Sequence, residues 1–237
     1  LKKLNLNFNL WTGSISSTIG DFRNLTLLKM KSCTSVTGPV PAELGTLPKL
    51  GEFSISNNSL TGTIPDALSA LTQITYMSFR MNRLTGTIPS WLGRMKILYQ
   101  FETWNNSMNG TIPPELGGAI SLQTLIIHNN FYTGSIPSTL GYLNQSTGFY
   151  FFNNRLTGTL PNTFSNLSKL ATYDVGGNLL HGTIPENTVK LTSLSELVLN
   201  NNAFTGTIPA QIGNLKSLRT LNLNENNLAE GNDFSST

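Results

Sequence analysis

Arg80, Trp104, His128 and Phe152 follow one another at a constant interval of 24 residues, and Glu102, Ile126, Tyr150 and Asp174 keep the same interval two places earlier. Constant spacing puts the members of each series in equivalent places of a repeated unit, so each series forms a column on one surface. Guanidinium, indole, imidazole, phenol and carboxylate groups in adjoining columns are the ingredients of a binding hot spot, because large rigid side chains yield contact area at small entropic cost. With Tyr76 beside the columns, the candidate ligand contacts are Tyr76, Arg80, Glu102, Trp104, His128, Tyr150, Phe152 and Asp174. A peptide, a protein loop or a sugar stacked on Trp104 and Tyr150 suits such a set. The plainer alternative is that the rings pack on one another, which stabilises cross-strand neighbours by ~0.2–1 kcal/mol each.

The same residues argue against catalysis. His128 can meet Glu102 diagonally, but no Ser or Cys nucleophile adjoins them on that face, and an open sheet desolvates little. His181 falls in a different place of the unit, so the two histidines build no metal site. Neither an enzyme nor a cofactor is expected.

A second set of polar residues recurs as Thr-x-Thr: Thr61 and Thr63, Thr85 and Thr87, Thr111, Thr133, Thr157 and Thr159, Thr183, Thr205 and Thr207. Of nine second places, six are Thr and two are Ser. Such ranks resemble the ice-binding faces of antifreeze solenoids, which hold ordered water on a flat, weakly polar lattice. The β-propensity of Thr accounts for them without any function. Sequons for N-glycosylation occur at Asn24, Asn57, Asn105, Asn109, Asn144 and Asn166, a number that composition alone supplies.

What must position these residues is a repeat centred on Leu60-Thr61-Gly62-Thr63-Ile64-Pro65, with further copies from Trp11 to Phe204 at intervals of 24 residues and one of 25. In register the unit reads L-x-x-L-x-L-x-x-N-x-L-T-G-T-I-P-x-x-L-G-x-L-x-x. Alternation such as Phe53-Ser54-Ile55 predicts a short half-buried strand near each unit's start, stable only when paired in parallel with its copy ~4.8 Å away. The Thr-Gly-Thr segment predicts a second, shorter strand, and Pro with Leu-Gly predicts a loose or 3₁₀ turn back. Asn at the ninth place (Asn9, Asn58, Asn82, Asn106, Asn130, Asn154, Asn178, Asn202, Asn226) predicts an internal amide ladder, with Cys33 substituting once as a structural thiol. Thr103 in a core place and Ser146 in an opening place break the template next to the aromatic column, as functional sites often do.

This unit is similar to that of leucine-rich repeat proteins of the 24-residue, plant-receptor-like type, known from receptor-kinase ectodomains and polygalacturonase-inhibiting proteins. The resemblance covers Leu1 to about Leu228 and implies a leucine-rich repeat solenoid of the α/β horseshoe class: a curved right-handed superhelix, β-rich, with a parallel concave sheet and a second short-strand sheet. Residues 1–237 read as one domain of about nine repeats and a truncated tenth. The cysteine-paired caps of the plant family are absent, Leu1, Leu4 and Leu6 open the chain, and Ala229 to Thr237 is a polar tail or partial cap. A fragment, or a subunit whose ends other chains cover, is the expectation.

Charge excludes one partner class. Lys plus Arg exceed Asp plus Glu by only 15 to 12 without a basic stripe, which argues against nucleic acid. No apolar run approaches a membrane span and no signal peptide is visible. A single cysteine precludes an intramolecular disulfide and leaves the compartment open. Taken with the resemblance, the expectation is an extracellular or cell-surface recognition module for a protein, peptide or glycan. Ice binding, or a structural role in a larger surface or membrane-associated assembly, are the alternatives.

Overall fold

The computed structural model describes residues 1–33 and 35–230. Each unit turns once around a common core. Ten strands of three residues, from Lys3–Asn5 through Tyr76–Ser78 and Gln100–Glu102 to Thr220–Asn222, pair in parallel in chain order. Their register is in step with the repeat: Met77 opposes Phe101, which opposes Leu125. The central residue of each strand from Leu28 to Leu197 is buried, so its two neighbours take the opposite face.

The second sheet forms in two pieces. Thr12–Ser14, Ser35–Pro39 and Ser59–Thr61 make one, and Thr133–Ser135, Arg155–Gly158, Leu179–Thr183 and Ala203–Thr205 the other. In the units between them backbone hydrogen bonds run on, from Thr85 N–H to the Gly62 carbonyl and from Asn109 N–H to that of Gly86, both 2.8 Å, without building regular strands. The expected second sheet of short strands is present, as two pieces joined by a hydrogen-bonded stretch. The middle Gly has the same conformation in paired and unpaired units, with φ +79° at Gly38 and +81° at Gly182 inside strands, so it does not account for the interruption. At Gly86 φ is +78°, a left-handed conformation that glycine adopts without steric cost.

Among the described residues each of the first nine units then turns through a five-residue 3₁₀ segment, for example Ser90–Arg94, entered through a proline fixed near φ −65° in all but the first. Its Leu drops into the core and its Gly lets coils stack, since a Cβ on Gly93 would overlap the Glu115 carbonyl of the next unit.

The amide ladder is present as expected. Asn106 donates from Nδ2 to the Thr103 carbonyl at 2.9 Å and to the Phe79 carbonyl of the preceding coil at 3.0 Å, while its Oδ1 accepts from Leu84 N–H at 2.9 Å. The pattern repeats from Asn82 to Asn202. Cys33 sits in the same column, buried, with its thiol donating to the Leu6 carbonyl at 3.1 Å.

The two template breaks have structural explanations. Thr103 is buried and shares a 3.0 Å hydrogen bond with Tyr132 Oη, whose ring fills the leucine place of the following unit. Ser146, also buried, donates to the Leu122 carbonyl at 2.7 Å. Each polar atom has its partner, so neither substitution requires a functional cause. Leu1 is 61% exposed, and the tail at 231–237 lies outside the described residues. Among the described residues no helix is long and apolar enough to cross a membrane.

Candidate functional site

The outward column becomes a single stack. The Arg80 guanidinium lies 5.3 Å from the Trp104 ring centre, Trp104 stacks on His128 at 5.1 Å, and His128 on Phe152 at 4.0 Å with only 11° between planes. This follows from strand spacing: planar side chains ~4.8 Å apart, all leaving the sheet in one direction, meet face to face. Both faces of Trp104 are therefore occupied, by Arg80 and by His128. A sugar stacking flat on Trp104 has no free ring face, and the column offers its edges and the Arg80 end instead.

Beneath Arg80 lies an arrangement that sequence reasoning placed wrongly. Glu102 was expected to point out toward a ligand, yet it is only 3% exposed. Its carboxylate accepts from Ser78 Oγ at 2.7 Å, Gln100 Nε2 at 2.5 Å and Tyr76 Oη at 3.3 Å, and Arg80 Nε stands 3.7 Å away. A buried carboxylate needs such company, because desolvation without partners costs several kcal/mol. Glu102 therefore holds Arg80 and Tyr76 in place, and its lone pairs are committed within the protein. Ser56 links Ser54 at 2.7 Å to Ser78 at 3.1 Å, extending this network across neighbouring strands.

The diagonal meeting of His128 with Glu102 does not occur. His128 Nδ1 is buried with no hydrogen-bond partner, and burial lowers the imidazole pKa to about 4, so it is neutral at ordinary pH. Tyr150 folds over Gly148, where a Cβ would come within 2.7 Å of its ring, and it flanks the stack rather than joining it. Asp174 closes the far end. Burial raises its pKa, the Gly176 N–H at 3.0 Å opposes that, and the charge of Glu196 adds to it. For Tyr76, burial is the first cause of a raised pKa.

Sequence reasoning missed Tyr99, Gln100 and Ser78. Tyr99 is 38% exposed and stacks on Tyr76 at 6.3 Å, and both line a hollow of about 290 Å³ with Lys29, Lys31, Glu52 and Arg80. Their signal was register: Ser78 precedes Glu102 in its own column, Gln100 follows Tyr76 in the neighbouring one, and Tyr99 adjoins Gln100.

On the outer surface every Thr of the ranks is exposed. First-place hydroxyls reach back, as Thr85 Oγ1 does to the Gly62 carbonyl at 3.3 Å. Second-place methyls sit against the following Gly, so that a Cβ on Gly110 would lie 2.6 Å from Thr87 Cγ2. A groove of about 630 Å³ runs beside them, lined in part by Thr111, Ser135, Thr159, Pro114, Pro137 and Pro161. All six sequon asparagines are exposed, although Asn57 and Asn105 are already engaged, with Ser32 Oγ at 2.9 Å and Asn129 Nδ2 at 2.6 Å. Among the described residues no group of three or more His, Cys, Asp or Glu can hold a metal ion.

Residues 49–71, 73–95, 121–143, 147–167 and 193–215 match the Leucine Rich Repeat family. No curated protein matches the chain by sequence. Among solved structures, the Arabidopsis receptor kinase HAESA, in complex with the peptide hormone IDA and the co-receptor SERK1, is 29% identical over 96% of this chain and 42% of that one, with a TM-score of 0.86. A plant ice-binding protein is 27% identical over 96% of this chain and 73% of that one, with a TM-score of 0.85. A leucine-rich repeat protein of Leptospira interrogans is 28% identical over 98% and 57%, with a TM-score of 0.80. The chain spans between a third and a half of the length of the receptor structures it matches.

Proposed function

We infer, from the premise that this chain is a leucine-rich repeat solenoid of the plant-receptor-like type, that its concave face is a recognition surface for a peptide or protein segment at the extracellular side of a cell. The single observation that carries this reading is the Arg80–Trp104–His128–Phe152 stack, fixed at its Arg80 end by the buried Glu102 network. Side chains held by their neighbours lose little freedom on binding, which is how a contact surface reaches useful affinity. The edges of the stacked rings suit the side chains and amides of a peptide better than the flat face of a sugar. HAESA, a similar structure, is in complex with a peptide hormone.

The test uses a displayed library of random peptides selected on the wild-type chain. Selected peptides should lose their binding to a Trp104→Ala, Phe152→Ala double variant whose circular dichroism and melting remain those of a folded solenoid. Unchanged affinity in that variant sinks the reading.

A second reading has its own support. The Thr ranks are exposed, their hydroxyls and methyls are seated on neighbouring coils, and the ice-binding neighbour is covered over 73% of its length. Ice recrystallisation inhibition by the wild type, abolished by Thr87→Tyr with Thr159→Tyr, would establish this activity, and inhibition that survives both substitutions would exclude this face.

A further inference from the structure

The turn that follows each concave strand forms one long edge of the solenoid, and up to the ninth unit its composition is one-sided, Glu225 standing in the tenth. In the nine units before residue 204, places seven to ten carry Lys31, Arg80, Arg83 and Arg155 and no Asp or Glu. Acidic residues lie off this edge, Glu43, Asp66, Glu115 and Glu186 in first turns of the 3₁₀ segments and Glu52, Glu102, Asp174 and Glu196 on the concave strands. Arg80 is answered by Glu102 beneath it. Arg83 and Arg155 are exposed, and no carboxylate of the described residues pairs with either.

Apolar groups share this edge. The Arg155 guanidinium lies 4.8 Å from the ring centre of Phe131, which is 43% exposed, and one coil further Leu179 is 59% exposed. Met81 is exposed in the coil of Arg83. Between this strip and the ring stack runs a rail of amides, Asn153 Nδ2 donating to Asn129 Oδ1 at 2.8 Å and Asn129 Nδ2 to Asn105 Oδ1 at 2.6 Å. Phe152 and Arg155 are three residues apart on one turn, so the strip continues the concave column over the edge.

We propose that the recognition surface turns over this edge and that its partner is an acidic peptide segment bearing apolar side chains. Carboxylates of the segment pair with Arg83 and Arg155, which present forked donors, and its apolar groups cover Phe131 and Leu179. From the coil of Arg83 to that of Leu179 there are four strand spacings, about 19 Å, which an extended chain of about six residues spans. The proposal rests on the concave reading for its inner half and adds the charge of the ligand and the outer half of its footprint.

The experiment is fluorescence anisotropy with a labelled peptide of about eight residues containing Glu and Leu, its Lys and Leu counterpart, and a single-stranded oligonucleotide of similar length. The acidic peptide should bind, with the basic counterpart at least about tenfold weaker, and Arg83→Glu with Arg155→Glu should weaken the acidic peptide by about tenfold. Phe131→Ser with Leu179→Ser should weaken it by a similar factor. These side chains are exposed, so the fold is not at risk. No binding of the acidic peptide, equal binding of the basic one, equal binding of the oligonucleotide, or unchanged affinity in both edge variants overturns the proposal. If the Trp104→Ala, Phe152→Ala variant loses the peptide while the edge variants keep it, the concave reading stands and the edge fails. The reverse pattern sinks the concave reading and leaves the edge.

Discussion

The concave column and the outer Thr ranks are built by the same repeat, yet they use it in opposite ways. Along the column the residue changes at every step, from Ser56 to Arg80, Trp104, His128, Phe152 and Gly176. Along the ranks it hardly changes. A varied column can match one ligand by shape and charge, whereas a uniform rank can match only something that is itself periodic. The packing differs accordingly: in the column each side chain is fixed by an unlike neighbour, whereas in the ranks Thr85, Thr133 and Thr205 repeat one bond, to a Gly carbonyl of the adjoining coil.

The contrast is broken most forcefully beneath the column. Glu102→Ala should cost about 3 kcal/mol in urea unfolding, because Ser78, Gln100, Tyr76 and Arg80 lose a shared acceptor in a buried place. A loss under about 1 kcal/mol would mean that the network does not hold the column. Next in size, the Trp104→Ala, Phe152→Ala pair should remove about 2 kcal/mol or more of binding from any selected peptide while leaving recrystallisation inhibition untouched. A fall in both activities would join the two faces into one function.

Acid should separate the faces further. The folded pKa of His128, about 4, lies below the ordinary 6.5, so the unfolded chain takes up the proton first. The stability contributed by neutral His128 is complete above pH 6.5 and is lost as pH falls toward 4. The loss is on the order of 1 kcal/mol once discounted for the solvent that reaches this half-buried ring. His128→Phe should flatten that part of a pH-resolved unfolding curve, and an unaltered slope would show that the ring is better solvated than its stack implies. The smallest effect belongs to the ranks. Thr87→Val keeps the methyl and should shift unfolding by less than about 0.5 kcal/mol, as surface substitutions do.

Much of this architecture was legible in the residues. A 24-residue period, alternation around Phe53 and Ile55 and the recurring Asn fix the coil, the strand and the ladder, because each depends on a side chain meeting its own copy one unit away. The identity of the outward columns was legible for the same reason. Two features were not. Thr103 and Ser146 looked like functional departures, whereas Tyr132 Oη and the Leu122 carbonyl answer them within the core. Glu102 looked available, whereas its carboxylate is taken up by Ser78, Gln100 and Tyr76.

By itself, then, the sequence determined the fold, the register and which residues share a surface, since these follow from a local periodicity that stacking merely repeats. Only the tertiary structure decided how unlike neighbours on adjacent coils settle against one another: that Glu102 turns down among Ser78, Gln100 and Tyr76, that His128 stacks instead of pairing, and that Arg155 lies over Phe131 at the edge. Those choices depend on rotamers competing for space between strands ~4.8 Å apart, a contest between units that no period within one unit encodes.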